Sequence, residues 1–415
     1  MEAREDARAR ATSPRLWRHR DYMWLWSGQV ISTLGSTAST IIYPLLILEL
    51  TGSPEAAGVA GALRALPYLV LSLPVGALID RWDRKAVMIR CDIGRALAVA
   101  SIPVAIALDM LTVAQIYAVT LVEGSLFVFF NIAEVAALPR VVPAAQLPEA
   151  TAQNEAGFGV ANILGPPMGT ALYQAFGRAI PFIADALTYC VSIASLLRVK
   201  ASFQVAPATE KRDLRREVAE GLRWMWANPL IRYMAFLTGG LNVINAAMPL
   251  LMIVLAKAVG ASDAQIGLIF SFAGAGAIVG SLVGGQVQRR FSFGQVIIGC
   301  LVIVAALFPL YAFMPSYAWL GVVAGLYYFM SPIYNVVQFS YRLALIPDRL
   351  QGRVNSTFRL LAFGFMPLGA VVCGAALERL GPTATVALFS ALLIALAAAT
   401  ALNRHVRHAA PIGSA

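Results

Sequence analysis

Five ionisable side chains stand inside stretches of sequence that are otherwise almost entirely apolar. They are Arg64, Asp92, Arg95, Glu123 and Asp185. A charged group at the centre of a bilayer costs about 2.5 to 3.5 kcal/mol on insertion scales, so such residues suggest function by default. The chemistry they predict is proton exchange and ion pairing inside a membrane.

Glu123 is the residue of this set best placed to exchange a proton. It lies about ten residues into an apolar run, near mid-depth for a helix that rises 1.5 Å per residue. Gly124 would leave space beside it. Two interpretations stay open: Glu123 carries a proton or binds a cation, or it is a structural partner of Arg64 at similar depth. Asp185 is another candidate partner for Arg64, and we expect a structural role for it.

The elements that must position these residues are membrane helices. The 415 residues are 59% hydrophobic and only 13% charged, which predicts a polytopic all-α membrane protein. Each of twelve apolar spans is long enough to cross a bilayer core of about 30 Å. The first six spans run near Tyr22 to Leu50, Ala56 to Leu78, Ala86 to Leu108, Val113 to Leu138, Gln153 to Phe176 and Ile180 to Val199. The second six run near Leu230 to Val259, Ser262 to Val287, Phe293 to Met314, Tyr317 to Leu345, Arg353 to Leu380 and Pro382 to Leu402.

The distribution of lysine and arginine predicts the orientation of these spans. Most basic residues fall in the two terminal segments and in alternate loops, which the positive-inside rule places in the cytoplasm. We therefore expect a multi-pass protein of the cell membrane, with a cytoplasmic arm (1–20) and a cytoplasmic tail (403–415). The arm lacks the pattern of a signal peptide. Because the net charge of +10 lies in these segments, it does not predict nucleic-acid binding.

The twelve spans divide into two predicted halves, 21–199 and 230–402, joined by a polar linker over 200–229. Within the linker, Asp213 to Trp226 predicts an amphipathic helix on the membrane surface, with an apolar face formed by Leu214, Val218, Leu222 and Trp226. An internal repeat supports the division. Asn154, Pro166 and Gly169 recur as Asn355, Pro367 and Gly369 at nearly the same spacing.

The loop after the second span carries a distinctive charged motif, Gly76-Ala77-Leu78-Ile79-Asp80-Arg81-Trp82-Asp83-Arg84-Lys85. On its own it could be a basic loop that obeys the topology rule, with Gly76 allowing close approach of two helix ends. Its residue order resembles the loop between the second and third helices of major facilitator transporters. The D-R-W-D-R-K form resembles the branch that contains enterobactin exporters and macrolide efflux proteins. The resemblance implies two pseudo-symmetric six-helix bundles and transport by alternating access.

The resemblance also implies an inner gate. Asp80 would contact the start of the eleventh span, near Arg353 to Arg359, when the transporter is open outward. We group Asp92 and Arg95 with Asp80 and Arg84 as a charge network that holds one conformation and breaks in the other. The equivalent loop of the second half has Gln288 in place of an acid, so a similar contact there would be weaker.

A second motif lies in the fifth span and ends in G-P-P-M-G. Its small residues recur every four positions, which lets a neighbouring helix approach closely, and its paired prolines bend the helix. An ordinary kinked packing helix is one interpretation. The other is a resemblance to the antiporter motif of drug-exporting facilitators, which implies export. The residues concerned are Gly157, Ala161, Gly165, Pro166, Pro167 and Gly169.

Polar and aromatic side chains of facing spans predict the substrate cavity. Each of them alone could serve helix-to-helix hydrogen bonding, but together they favour a large amphipathic substrate. They are Gln29, Ser32, Thr33 and Ser36 in the first span, Asn242 and Asn245 in the seventh, and Tyr327, Tyr334, Asn335 and Gln338 in the tenth.

The sequence therefore predicts a secondary transporter, most simply a proton-coupled exporter of a small amphipathic molecule such as a macrolide-like drug or a siderophore. Its partners would be that substrate, protons and the lipid bilayer, without a cofactor or metal. No phosphate-binding loop of the G-x-x-x-x-G-K-[ST] form occurs, and the three histidines lie in terminal segments, so neither ATP coupling nor an enzyme is expected. A non-transporting membrane sensor or scaffold on the same fold is the alternative.

Overall fold

The structure is a computed structural model that describes residues 16–79, 81–143, 146–204, 214–313, 315–347 and 350–409. Every regular element in these ranges is a helix. We number the helices of the first half and the linker α1 to α8: Arg20–Thr40, Ile42–Thr51, Pro54–Ile79, Arg84–Ala107, Val113–Val141, Leu147–Phe176, Ile180–Arg198 and Leu214–Ala227. Those of the second half and the tail are α9 to α16: Pro229–Ala258, Asp263–Arg290, Phe293–Leu307, Tyr317–Leu345, Gln351–Gly364, Met366–Leu380, Pro382–Leu402 and Arg404–Arg407. Short 3₁₀ helices cover Leu16–Arg18 and Phe308–Ala312.

The fold is that of an all-α membrane protein, as the composition predicts. Within the described residues, nine helical segments are long and apolar enough to cross a membrane. Three other long helices, α3, α4 and α6, coincide with the predicted second, third and fifth spans. Helices thus stand at all twelve predicted positions, while the number that cross the membrane stays a prediction.

Two predicted spans are interrupted where the sequence suggested single helices. The first span divides at Ile41 into α1 and α2, and the eleventh divides at Phe365 into α13 and α14. Pro44 and Pro367 follow these breaks closely. Proline has no backbone N–H, so it cannot bond the carbonyl four residues earlier, and the helix breaks or bends there. The ninth span ends for the same reason in a 3₁₀ turn that contains Pro309.

The linker helix α8 packs on α13 rather than lying only against a membrane surface. Gly221 of α8 meets the backbone carbonyl of Arg353, and Met225 is fully buried. Glu220 also forms an ion pair with Arg353. Leu222 and Trp226, two residues of the predicted apolar face, remain exposed and available to lipid. Asp213 lies outside the described residues, as do the side chains of Leu214 and Val218.

The two halves touch mainly through two helix pairs. Helix α3 packs on α14, and α6 packs on α10. The α3–α14 contacts join Gly58 to Ala370, Gly374 to Pro54, and Glu378 to Ser53 and Glu55, so they lie where α3 begins and extend along α14 to its last turn. We call this the closed end of the bundle and call the end where α3 finishes and α4 starts the opposite end.

Glycine makes the α3–α14 approach close enough for backbone contact. A Cβ atom on Gly58 would meet the carbonyl of Ala370, and one on Gly374 would meet the carbonyl of Pro54 at 2.6 Å. Small residues at a crossing of this kind let helices associate tightly in a membrane. The crossing therefore positions the two halves against each other at the closed end.

Candidate functional site: a buried charge cluster in the first half

Glu123 is buried and receives hydrogen bonds from three other helices. The Tyr43 hydroxyl of α2 donates to Oε2 at 2.9 Å, and Nη1 of Arg64 on α3 donates to the same atom at 2.9 Å. Tyr189 of α7 donates to Oε1 at 3.4 Å. Only 1% of the Glu123 side chain is exposed, against 25% for Arg64. Of the two partners predicted for Arg64, the structure places Glu123 in the ion pair.

Gly124 has a different role from the one expected. A Cβ atom at this position would collide with the backbone carbonyl of Arg64. The absence of a side chain therefore brings α5 against α3, and the space beside Glu123 is filled by the backbone that carries its partner. This contact fixes the distance between the two charged groups.

Asp185 lies beside Glu123 and is fully buried. Ser39 donates to its Oδ2 at 2.5 Å, and Ser36 donates to its Oδ1 at 3.4 Å. The Ser36 hydroxyl is also 2.8 Å from that of Tyr189, which completes a continuous hydrogen-bonded network. We call the residues of this network the Glu123 cluster: Ser36, Ser39, Tyr43, Arg64, Glu123, Asp185 and Tyr189.

Arg95 joins this cluster to Asp92, one turn away on α4. Its Nη2 donates to the Ser36 hydroxyl at 3.3 Å, and its guanidinium lies 4.3 Å from the centre of the Tyr189 ring. Its Nη1 is 3.6 Å from Oδ1 of Asp92. Both side chains are almost fully buried.

The predicted network of Asp80, Arg84, Asp92 and Arg95 stays a prediction, because Asp80 lies outside the described residues. Nη1 of Arg84 donates to the backbone carbonyls of Ala136 and Phe203, at 2.9 and 3.2 Å. The guanidinium of Arg95 contacts Tyr189 of α7 and Ser36 of α1. Arg84, at the first position of α4, is about three turns from Arg95 along the helix.

The remaining residues of the charged loop act locally. Lys85 donates to the carbonyl of Val199 at 2.7 Å, and the exposed Trp82 ring stacks on Phe129. Arg81 is exposed. Among the described residues, no heavy atom stands within 4 Å of the place a Cβ on Gly76 would take, so they show no close approach there in this conformation. Asp80 lies outside the described residues.

The small residues of the fifth span pack against α1. A Cβ on Gly157 would meet Val30, one on Gly165 would meet Thr37, and one on Gly169 would meet the Ala38 backbone. Ala161 is fully buried, and its carbonyl accepts from the Thr37 hydroxyl at 2.8 Å. Helix α6 runs unbroken through Pro166 and Pro167. The motif therefore joins α6 to the helix that carries Ser36 and Ser39.

The predicted cavity residues of the first span divide into two groups. Ser36 belongs to the Glu123 cluster, and Ser32 is buried with its carbonyl bonded to the Ser36 hydroxyl. Gln29 and Thr33 are partly exposed, and Nε2 of Gln29 makes no hydrogen bond within the described part of the chain.

Most of the predicted cavity residues of the second half form hydrogen bonds with neighbouring helices of the same half. Asn242 donates to the carbonyl of Ala362 at 2.8 Å, and Tyr327 donates to Asn245 at 3.2 Å. The Tyr334 hydroxyl is 3.0 Å from that of Thr238. Asn335 is exposed, whereas Gln338 is buried with Nε2 unbonded in the described ranges. Asn335, Gln29 and Thr33 are thus the members of the predicted set most open to a ligand.

Several functional contacts were missed from the sequence. Tyr43 and Tyr189 bond Glu123 from helices far away in the chain, and a periodic pattern on one helix does not indicate which helix it will face. At the closed end, Glu378 of α14 accepts from the Ser53 hydroxyl and, at 2.8 Å, from the Glu55 backbone N–H. A carboxylate of the second half therefore caps the first turn of α3 in the first half.

No metal site is evident in the described ranges, since no three His, Cys, Asp or Glu side chains come together there as ligands. The chemistry available is that of carboxylates, hydroxyls and guanidinium groups buried together. Such a set can hold and exchange protons.

Comparison with known proteins supplies a family and a set of relatives. The pattern of the transmembrane secretion effector family matches residues 11–411. The multidrug efflux pump Tap of Mycolicibacterium fortuitum is 26% identical over 85% of this chain and 88% of its own length. Macrolide efflux protein A of Streptococcus pyogenes is 24% identical over 94% and 97%. The enterobactin exporter EntS of Salmonella choleraesuis is 24% identical over 96% of each chain.

Solved structures share the fold at low sequence identity. The nucleoside transporter NupG superposes with a TM-score of 0.73 at 12% identity and covers 92% of this chain and 98% of its own. A bacterial homologue of the lysosomal transporter Spinster, in an inward-facing unoccupied state, gives a TM-score of 0.69 at 13% identity over 94% and 95%.

Proposed function

The chain belongs to the transmembrane secretion effector family of major facilitator transporters, and we propose that it is a proton-coupled exporter of small amphipathic molecules. The observation that carries this proposal is the Glu123 cluster. Its central carboxylate is 1% exposed and is bonded by side chains of α2, α3 and α7. Buried ionisable groups of this kind mark proton pathways in transporters.

The geometry supports a link between proton binding at Glu123 and movement of the halves. A proton on Glu123 cancels the charge that attracts Arg64. Arg64 stands on α3, about two turns from Gly58, where α3 crosses α14 of the second half. Loss of the Arg64–Glu123 ion pair would weaken the packing of α3 on α5, and the resulting shift of α3 would alter its contact with α14 at Gly58. An ion pair that forms and breaks in this way can bias a two-state equilibrium.

The proposed orientation follows from the basic residues of the sequence. With the N-terminus in the cytoplasm, the closed end faces outward and the opposite end faces the cytoplasm. The conformation described here would then be inward-facing, ready to accept a compound from the cell. The two halves, 21–199 and 230–402, would rock about the cavity between them, and the linker helix α8 would move with α13.

The proposed substrates are amphipathic compounds, in keeping with relatives named for the efflux of several drugs, of macrolides and of a siderophore. The small-residue face of α6 supports export as the direction, through its resemblance to the antiporter motif. Partly exposed amides and hydroxyls from both halves, such as Gln29, Thr33 and Asn335, would bind the polar groups of such a compound.

Transport by purified protein in proteoliposomes tests this function. An imposed pH gradient should drive accumulation of a macrolide or an amphipathic dye by the native chain. Glu123→Gln should lower that rate by about 100-fold, the scale on which a positioned acid or base contributes. Glu149→Gln, at an exposed carboxylate in the first turn of α6, is the matched control and should transport normally. Full activity of E123Q would remove Glu123 from the mechanism, and absence of any transport would favour a scaffold.

A further inference from the structure

Asp92 is a buried carboxylate that the Glu123 cluster does not use. It is fully buried on α4, and its oxygens make no hydrogen bond within the described part of the chain. The Ser192 hydroxyl of α7 lies beside it as a potential donor, although neither group has a hydrogen bond of standard geometry within the described part of the chain. Buried polar groups are normally hydrogen-bonded, so an open set of this kind calls for an explanation. The nearest cation, Nη1 of Arg95, stands 3.6 Å from Oδ1, which is longer than the hydrogen bonds that hold Glu123 and Asp185, so this carboxylate is held less tightly and is available for proton exchange.

Glu134 continues this line of carboxylates towards the opposite end. It lies on α5, eleven residues beyond Glu123, or about 16 Å along the helix axis. It is close enough to interact electrostatically with Asp92 and Arg95, and with Glu155 of α6. Glu123 thus lies near mid-depth, and Asp92, Glu134 and Glu155 lie together about 11 to 12 Å from the helix ends at the opposite end.

Arg95 occupies the position between the two sets of acids. It donates to Ser36 in the Glu123 cluster and pairs with Asp92 at 3.6 Å. A proton that moves from the Glu123 cluster to Asp92 therefore passes the Arg95 guanidinium, which contacts Ser36 of the cluster and Asp92.

We propose that Asp92 and Glu134 form the inner limb of the proton path, through which the Glu123 cluster exchanges protons with the cytoplasm. This inference rests on the proposed function. The proton leaves the Glu123 carboxylic acid through water and binds the Asp92 carboxylate, so Glu123 regains its charge as Asp92 loses one. Asp92 then passes the proton to the Glu134 carboxylate, and Glu134 releases it to water at the opposite end. No bond other than these O–H bonds forms or breaks.

The groups that face Asp92 come from each helix packed against it. Arg95 and the Cys91 thiol are its neighbours on α4, the Ser192 hydroxyl of α7 lies beside it, and Glu134 of α5 is close enough to act on it electrostatically. Arg95 is the only cation in this set, within the described residues. Its charge is shared with Asp92 on one side and with the cluster on the other.

The test separates proton movement from substrate movement. Asp92→Asn is compared with the native chain in two assays on the same proteoliposomes: accumulation driven by a pH gradient, and exchange of labelled for unlabelled substrate at equal pH. We expect the driven rate to fall by about tenfold or more, since the variant lacks a proton carrier. Exchange needs no net proton movement and should stay within about twofold, as for a substitution that leaves packing intact. Glu134→Gln should show the same separation.

Two further variants control for misfolding and for loss of charge alone. Asp92→Glu keeps a carboxylate and should recover most of the driven rate. Asp109→Asn makes the same exchange at an exposed site in a left-handed turn that asparagine tolerates, and it should behave as the native chain. Equal losses in both assays for D92N and D92E would assign Asp92 to structure and overturn the proposal.

The outcomes also distinguish this proposal from the proposed function. Suppose that the pH gradient drives accumulation by the native chain and not by E123Q. A D92N variant that accumulates substrate at the native rate would then overturn the inner limb alone. If the native chain ignores the gradient, the proton-coupled function and the inner limb both fail.

Discussion

The Arg64–Glu123 ion pair is the interaction on which the account depends most at the scale of single residues. Both side chains were identified from the sequence because charges in apolar runs are rare, and their similar depths suggested that they could meet. The tyrosines that complete the site were not identified. Tyr43 and Tyr189 look like ordinary apolar-run residues until the packing of α2 and α7 brings their hydroxyls to the same carboxylate.

Replacing Arg64 alone should lower the free energy of unfolding more than replacing Arg64 and Glu123 together. Arg64→Gln leaves the Glu123 charge buried without a cation, and we expect a loss of about 3 kcal/mol in the free energy of unfolding. The double variant R64Q/E123Q should recover part of that stability without recovering pH-driven transport. Thermal unfolding in detergent can be followed with a thiol-reactive dye, because Cys91, Cys300 and Cys373 are buried.

The control for this prediction is an ion pair at the protein surface. Lys257 and Asp263 are 2.7 Å apart, and about half of the lysine side chain is exposed. Lys257→Gln should change stability by about 1 kcal/mol or less. A double variant less stable than R64Q would show that the two residues are not coupled as described.

At the scale of helices, the sequence predicted positions well and contacts poorly. All twelve apolar runs are helical, since apolar runs of this length have few other solutions in a bilayer. Prolines stand close to the breaks at Ile41 and Phe365, but Pro166 and Pro167 lie inside the unbroken α6, so the sequence alone could not predict which helices break. The helices that pack against Gly124 and Gly58 could not be predicted. A glycine in the sequence indicates that another helix can come close, but it does not indicate which one.

Gly124→Ala should separate α5 from α3. The added methyl group meets the Arg64 carbonyl, which belongs to a helix backbone and cannot rotate away. Overpacking of this kind costs about 1 to 3 kcal/mol, and it should also lower transport because the Arg64–Glu123 distance changes. Gly299→Ala is the matched control, since no described residue stands within 4 Å of its added methyl group. Equal stability of the two variants would contradict the role given to Gly124.

Glu378 is the helix-scale contact that should set the balance between conformations. It caps the start of α3 from the other half, so Glu378→Ala removes a bond that exists only while the closed end is closed. Spin labels at Thr51 and Leu380, in a chain without its four cysteines, should report longer distances in this variant.

The adjacent residue supplies the control for that experiment. Arg379 is 71% exposed and reaches Glu55 at 3.5 Å, so Arg379→Ala should leave the distances unchanged. Unchanged distances in E378A as well would mean that the cap does not hold the closed end.

At the scale of the whole molecule, the sequence indicated two similar halves and a family, and the match over residues 11–411 establishes that family. It could not indicate which conformation the halves adopt. That property depends on weak contacts between them, such as the Gly58–Ala370 approach, whose free energies differ little between states.

The central claim is that the two halves open by turns to the two sides of the membrane. Distances between spin labels at both ends of one molecule test it most directly, with one pair at Thr51 and Leu380 and another at Arg140 and Leu345. We expect reciprocal changes when substrate or pH is varied: the distance between the labels at Thr51 and Leu380 lengthens as the distance between those at Arg140 and Leu345 shortens. Distances that stay fixed at both ends, or that lengthen together, would contradict it.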